Sequence, residues 1–410
     1  MEIKRDFYLD KLIKSMNNGM VKILSGIRRC GKSYLLDPIF KDYLLEHGVN
    51  ENHIIKIDLD SIENEEYTEP RKLYDFVMSK IVDEEKYYIL LDEIQEVKDF
   101  EKVLNSFLRK PNLDVYVTGS NSRFLSKDII TEFRGRGYEI KVYPLSYKEV
   151  LQVYDKEEAW NNYYMYGGLP LTVLSTDESE RRKYIQEQTD YTYLKDVVDR
   201  NNIQNDEGLK ILIQMISSSV GSLTNPTKLE NTFKSNSNIT LADKTIYSYL
   251  QALEDAFIIE KAQRYDVKGK KYIDTPYKYY FTDIGVRNYL INYRQIEENH
   301  LMENLIYIEL KRRGYSVDVG VVESRTSDER KNYEVDFVCN YFSNRFYIQS
   351  ALNVDTNEKL KQEENSLLNI NDSFKKMIIV KDDIHKFYDE NGILILGIKE
   401  FLTDESLLEK

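Results

Sequence analysis

Val21-Lys22-Ile23-Leu24-Ser25 runs directly into Gly26-Ile27-Arg28-Arg29-Cys30-Gly31-Lys32-Ser33, and Tyr34-Leu35-Leu36 follows. The first five residues read as a short buried strand and the last three as the start of a helix. Between them lies a complete G-x-x-x-x-G-K-[ST] loop, in the strand–loop–helix context that gives the pattern its meaning. The residue types suit phosphate. Gly26 and Gly31 let the backbone curl, so that the N–H groups of the loop (Arg28, Arg29, Cys30 and Tyr34 at the helix start among them) face phosphate oxygens. Lys32 brings a point charge to the β- and γ-phosphates, and the Ser33 hydroxyl suits Mg²⁺. The expected cofactors are ATP and Mg²⁺. A glycine-rich surface loop is the bland alternative, and the flanking elements argue against it.

A second apolar strand, Tyr87–Leu91, ends in Asp92-Glu93. A carboxylate at the end of such a strand can complete the Mg²⁺ shell (Asp92), and its neighbour can orient or deprotonate an attacking water (Glu93). A third strand, Leu113–Thr118, ends in Gly119-Ser120-Asn121-Ser122. Polar groups at the carboxyl edge of a parallel sheet sit where ligands bind, so Ser120 or Asn121 is expected to sense the γ-phosphate. Farther on, Arg134 and Arg136 alternate with Gly135 and Gly137. Arginines on pliant backbone suit a finger reaching γ-phosphate charge, usually across a subunit boundary, which makes a homo-oligomer an expected partner state.

Composition narrows the rest. The chain has 410 residues, 41% of them hydrophobic and 31% charged, which is too much apolar material for a single core. It carries 57 basic and 70 acidic residues, a net charge of −13, so a coat for nucleic acid is excluded and any such contact must use a local basic face. The longest apolar run, near Tyr87–Leu91, is strand-sized, and the start MEIKRDFYLDKL lacks the core of a secretory signal. Two cysteines, Cys30 and Cys339, form no disulfide framework. These features lead to the expectation of a cytoplasmic protein without membrane contact.

Downstream of Pro144-Leu145-Ser146 the pattern turns helical and is broken at Gly167-Gly168-Leu169-Pro170. From Leu209 three helical stretches precede a β-rich pair around the turn Lys268–Lys271, the order of a winged helix. The expected wing, 261–278, holds Lys261, Arg264, Lys268, Lys270, Lys271 and Lys278, so DNA or RNA is a candidate partner there. From about 295 a helix and alternating strands follow.

The landmarks GIRRCGKS (26–33), YYILLDEIQ (87–95), VYVTGSNS (115–122), RGRGYEIKVYPLSYKEVL (134–151), YGGLP (166–170), LMENLIYIEL (301–310), NYEVDFV (332–338) and YIQSA (347–351) span nearly the whole chain. With them the chain resembles the bacterial and archaeal AAA+-type ATPases that join a P-loop domain to a winged helix and a nuclease-like carboxyl-terminal domain. The resemblance implies an α/β fold built on a P-loop NTPase parallel sheet. It further implies an ATPase core at 1–150, a helical lid over the nucleotide at 151–205, a winged helix at 206–292 and a restriction-endonuclease-like domain at 293–410. In the last, Glu303 and Asp336 match two acidic positions, but Gln349 and Ala351 stand where an acid and a lysine belong. A neutral amide is a weak Mg²⁺ ligand, so a degenerate site is expected. The leading expectation is an ATP hydrolase whose nucleotide state repositions the other domains. The alternatives are a nucleotide-gated module that does not hydrolyse, and a Mg²⁺-dependent nuclease licensed by ATP.

Overall fold

The computed structural model describes residues 2–120, 135–236, 240–294, 297–325 and 330–408. The chain divides into two compact units. The first comprises Met1–Pro144 with Asp255–Phe257, the second Leu145–Glu254 with Ile258–Lys410.

The first unit is a five-stranded sheet of β1 (Val21–Ser25), β2 (Ile54–Asp58), β3 (Tyr87–Asp92), β4 (Leu113–Gly119) and β5 (Gly137–Lys141), in the order β2-β3-β4-β1-β5. Every pairing is parallel. Strands β1, β3 and β4 are buried throughout, as expected of parallel strands covered on both faces. Leu73 and Val77 of the helix Pro70–Lys80, and Val103, Leu104 and Phe107 of the helix Phe100–Phe107, pack in one cluster with Ile23, Ile89, Leu91 and Val117. The one charged residue inside β1, Lys22, is tolerated because Asp114 on neighbouring β4 pairs with it, and Tyr116 donates to the other oxygen of that carboxylate at 2.8 Å.

Sequence periodicity suggests one helix from Tyr34 onward. The structure instead has a first turn at Lys32–Tyr34, a break at Asp37 (φ −145°, ψ 115°) and a resumed helix at Lys41–Glu46. Pro38 is the cause, since its ring disfavours helical geometry at the residue before it.

The second unit opens with the short helices Tyr147–Val150, Lys156–Tyr166, Pro170–Leu174, Glu178–Glu187 and Leu194–Asn201. The glycine pair has a packing reason. A side chain at Gly168 would start 2.1 Å from the Leu145 carbonyl oxygen, and the Gly168 N–H donates to Asp283 Oδ2 at 2.8 Å. Three helices follow at Asp206–Ser218, Pro226–Asn236 and Asp243–Asp255, then β6 (Ile259–Asp266) and β7 (Lys271–Phe281). These last two strands are not a free-standing wing. They form one side of an eight-stranded mixed sheet completed by β8 (Ser316–Arg325), β9 (Arg330–Tyr341), β10 (Asn344–Ala351), β11 (Lys375–Val380), β12 (Phe387–Tyr388) and β13 (Leu394–Gly397). The order is β12-β13-β11-β10-β9-β8-β6-β7, with β6 parallel to β8 through Arg264–Val319 and Tyr265–Gly320. Pairing with β8 satisfies the N–H and C=O edge that an isolated hairpin leaves bare.

The helix Glu298–Arg312 lies almost wholly buried. Asn304 fastens it to β7, accepting from Phe281 N–H at 2.8 Å and donating to the Phe281 carbonyl at 2.7 Å. Among the described residues, no helix is long and apolar enough to cross a membrane.

Candidate functional site

The loop leaving β1 has the backbone its glycines anticipate. Gly26 lies at φ 147°, where a Cβ would sit 2.1 Å from the Val142 carbonyl oxygen, and Gly31 takes a left-handed φ of 96° immediately before Lys32. Lys32 is 4% exposed and folds back over the bend, donating to the Gly26 and Ile27 carbonyls at 3.0 and 3.1 Å. Ser33 is exposed, Arg28 half-buried, Arg29 exposed and the Tyr34 ring on the surface. Cys30 faces inward toward the Val142 carbonyl at 3.4 Å.

Parallel pairing brings the ends of β3 and β4 beside this bend. The Ser33 side chain lies near enough to favour the charged form of the Asp92 carboxylate, and Thr118 on β4 donates to Asp92 Oδ1 at 2.5 Å. Burial pushes the Asp92 pKa above the ordinary carboxylate value, against the pull of the Thr118 and Ser33 side chains. Glu93 follows in a left-handed conformation (φ 51°) with its N–H on Thr118 Oγ1 at 2.9 Å. Its carboxylate accepts from the Gln95 amide and, at 3.2 Å, from the Ser120 hydroxyl. Ser120 thus reaches Glu93. Asn121 and Arg134 lie outside the described residues. Arg136 is exposed, and the β1–β5 register sets its neighbour Gly137 against Val21, at the opposite end of β1 from the loop.

Three residues of this arrangement are not among those the sequence singled out. Thr118 and Gln95 hold the two carboxylates, and Arg5 supports the bend from before the first helix. The buried Arg5 guanidinium donates to the Cys30 carbonyl at 2.9 Å and the Tyr143 carbonyl at 2.8 Å. A polar residue closing an apolar strand two positions before Ser120 is the only hint of Thr118. Nothing local points to Arg5.

The donor set fits a magnesium nucleotide. One carboxylate and one hydroxyl converge, and the Gly26 bend has no room for a side chain, so the backbone itself forms the cradle. Mg²⁺ characteristically takes one or two protein oxygens and completes its shell with water and phosphate.

A second polar cluster lies in the second unit. Lys278 on β7 is 3% exposed and its ammonium lies 3.1 Å from Glu303 Oε2, 2.8 Å from Glu334 Oε1 and 3.7 Å from Asp336 Oδ1. This corrects one expectation: Lys278 is not a surface residue of a basic wing. Burial opposes the Lys278 charge, but Glu303, Asp336 and Glu334 outweigh it and hold the ammonium protonated above the ordinary lysine range. Burial and then the Glu303 charge push the Asp336 carboxyl up to about 7. Glu303 is also raised, by burial against the pull of Lys278. Gln349 Oε1 accepts from the Asp336 N–H at 3.4 Å and from Ser366 Oγ at 3.3 Å, so the amide oxygen is engaged by one backbone and one side-chain donor. Among the described residues, no group of three or more His, Cys, Asp or Glu side chains is arranged to hold a metal ion.

The parallel sheet with its glycine-bounded loop gives the first unit the fold of P-loop NTPases of the AAA+ type. Residues 18–151 match the family model described as an AAA domain, and 157–297 match a domain of unknown function. The chain is 33% identical over 411 residues to an uncharacterized protein of Haemophilus influenzae, with 98% of both chains covered, and it belongs to that protein's family. An uncharacterized protein of Methanocaldococcus jannaschii is 28% identical over 362 residues, covering 84% of this chain and 77% of its own. Among solved structures, the Orc1 protein of Aeropyrum pernix in complex with DNA aligns with 71% of this chain and 93% of its own, at 11% identity and a TM-score of 0.31.

Proposed function

We propose that the chain binds ATP with Mg²⁺ at Gly26–Ser33 and hydrolyses it. The observation that supports this reading most directly is the glycine-bounded bend that ends at Lys32 and Ser33, together with the Asp92–Glu93 pair that Thr118 holds at the end of β3. Magnesium would supply charge neutralisation of the β- and γ-phosphates. The chain's own residues do the rest. Backbone N–H groups of the bend hold the phosphates, and Lys32 exchanges the Gly26 and Ile27 carbonyls for phosphate oxygens. Ser33 and Asp92 hold the ion. Glu93 takes the proton of the attacking water, with Gln95 and Ser120 fixing the direction of its carboxylate. Arg136, at the far end of β1, serves a neighbouring copy's nucleotide in this scheme, and the nucleotide state shifts the second unit. Phosphate release from ATP by the purified chain, abolished in Lys32→Ala, tests the core. No phosphate released in the presence or absence of DNA would refute it.

For Glu303, Asp336 and Gln349 we infer a structural role. The Lys278 ammonium takes up the point on which the carboxylates converge, and the Gln349 oxygen is occupied by the Asp336 N–H and the Ser366 hydroxyl. These residues do not fit a divalent cation, so no hydrolytic step is assigned to them. Metal-dependent nicking of DNA or RNA that disappears in Asp336→Asn would overturn this.

A further inference from the structure

The second unit also carries a groove that neither reading uses. It lies between the β6–β7 turn, the β9–β10 turn and the segment before β11, and encloses about 570 Å³, in the range of small-ligand sites. Its floor is Val267 and Ile370, both buried. Its rim combines three kinds of group. Phe342 is 92% exposed at the tip of the β9–β10 turn, and Phe374, which also lines the groove, is 40% exposed. Lys268, Lys270 and Arg345 supply positive charge, against the single lining carboxylate of Asp372. That carboxylate is already engaged, accepting from the Tyr347 hydroxyl at 2.6 Å and the Phe374 N–H at 3.2 Å. Asn340, Asn344 and Asn371 add amides that can donate and accept.

The side chains differ in how far they are committed. Arg345 is prearranged: its guanidinium lies 5.4 Å from the Tyr265 ring centre and 5.6 Å from that of Phe374, with Nε donating to Asn340 Oδ1 at 2.8 Å. Lys268 reaches the Glu323 carbonyl at 2.5 Å. Lys270 is exposed. An exposed phenylalanine on a turn gains nothing from water, whereas the flat face of a base would cover it.

We propose that this groove binds single-stranded nucleic acid, with bases on Phe342 and Phe374 and phosphates against Lys268, Lys270 and Arg345. Charge complementarity selects the ligand. In a chain of net charge −13 a groove lined by three cations against one carboxylate attracts a polyanion. Two exposed aromatic rings and three amides lining one groove favour unpaired bases, because a duplex keeps its base faces stacked inside. The inference does not depend on ATP hydrolysis, since groove and phosphate loop use different residues.

The test is fluorescence anisotropy with a labelled twelve-nucleotide oligothymidylate and the full chain, titrated across salt concentrations. Binding is expected to weaken with salt, with a log–log slope of about −2, the value for roughly three neutralised phosphates on a single strand. Phe342→Ala should weaken binding roughly tenfold and leave the slope unchanged. Lys270→Ala should flatten the slope by about 0.7. Lys32→Ala should bind the oligonucleotide as the wild type does while losing ATP, which separates this proposal from the ATPase reading. The proposal is overturned by no binding at low salt, by unchanged affinity in the Phe342→Ala/Lys270→Ala double variant, or by equal affinity for a duplex of the same length. Full displacement of the oligonucleotide by equimolar AMP would also overturn it, pointing to a mononucleotide site.

Discussion

Thr118 donates to Asp92 Oδ1 at 2.5 Å, and its same oxygen accepts the Glu93 N–H at 2.9 Å. One hydroxyl on β4 thereby aims the carboxylate on β3 and fixes the turn that directs the next. A third group that orients the first two is the usual architecture of a hydrolytic site.

If that hydroxyl orients the ion-holding carboxylate, Thr118→Val keeps the side-chain shape and loses both hydrogen bonds. Bonds to charged groups contribute about 1.5–3 kcal/mol. The Mg²⁺ concentration needed for half-maximal ATP turnover should therefore rise roughly tenfold or more. Thr118→Ser should restore it. An unchanged Mg²⁺ requirement would remove Thr118 from the site.

Glu93 and Lys32 should separate binding from turnover. Glu93→Gln keeps the shape and the Ser120 contact but cannot accept a proton, so kcat should fall by about 10²–10⁴ with nucleotide affinity nearly unchanged. Lys32→Ala should show no heat of ATP binding in a calorimetric titration.

In the second unit, Lys278→Met removes the ammonium and leaves Glu303, Glu334 and Asp336 facing one another. Breaking a buried pair on one side typically costs about 3–5 kcal/mol. The variant's unfolding midpoint should drop and then partly recover on adding Mn²⁺ without nucleotide, because three carboxylates without their lysine accept a cation. The wild type should not respond to Mn²⁺. A Mn²⁺ response in the wild type that Asp336→Asn abolishes would mean the ion and Lys278 coexist.

The same cluster sets a pH dependence. The Asp336 carboxyl, ordinarily near 3.8, is raised to about 7 in the fold, facing Lys278, Glu303 and Glu334 with Glu363 nearby. The folded state therefore binds more protons than the unfolded chain between these values. Its contribution to stability is present at acid pH and is lost as pH rises toward 7. Denaturant midpoints at pH 5 and pH 8 should show that decline in the wild type. Asp336→Asn should reduce it by at least about 1 kcal/mol, of the order of one pKa unit.

The phosphate loop and the strands that end at Asp92 and Ser120 were legible because their signals are local. A glycine-constrained bend, a buried strand and the acid at its end all lie within a few residues of one another. The interruption at Asp37 was present in the sequence as Pro38 and was masked by the apolar residues around it. The β6–β7 pair was legible as two strands but not as part of the larger sheet. Its partner β8 begins nearly sixty residues later in the chain (Ile259 against Ser316), and β-pairing at that separation leaves no periodic trace.

Local chemistry alone therefore determined that this chain curls a glycine-bounded loop off a buried strand and places acids at the end of a second one. Tertiary structure decided which groups those acids meet. Thr118 reached Asp92 only because β3 and β4 are neighbours in register, and Arg5 reached the Cys30 carbonyl across the fold. Lys278 became the partner of three carboxylates, rather than one more surface cation, because Asn304 ties the helix carrying Glu303 to β7 while β9 brings Glu334 and Asp336 alongside. Burial raises the free energy of an unpaired charge, and only the folded chain determines which charges are buried together.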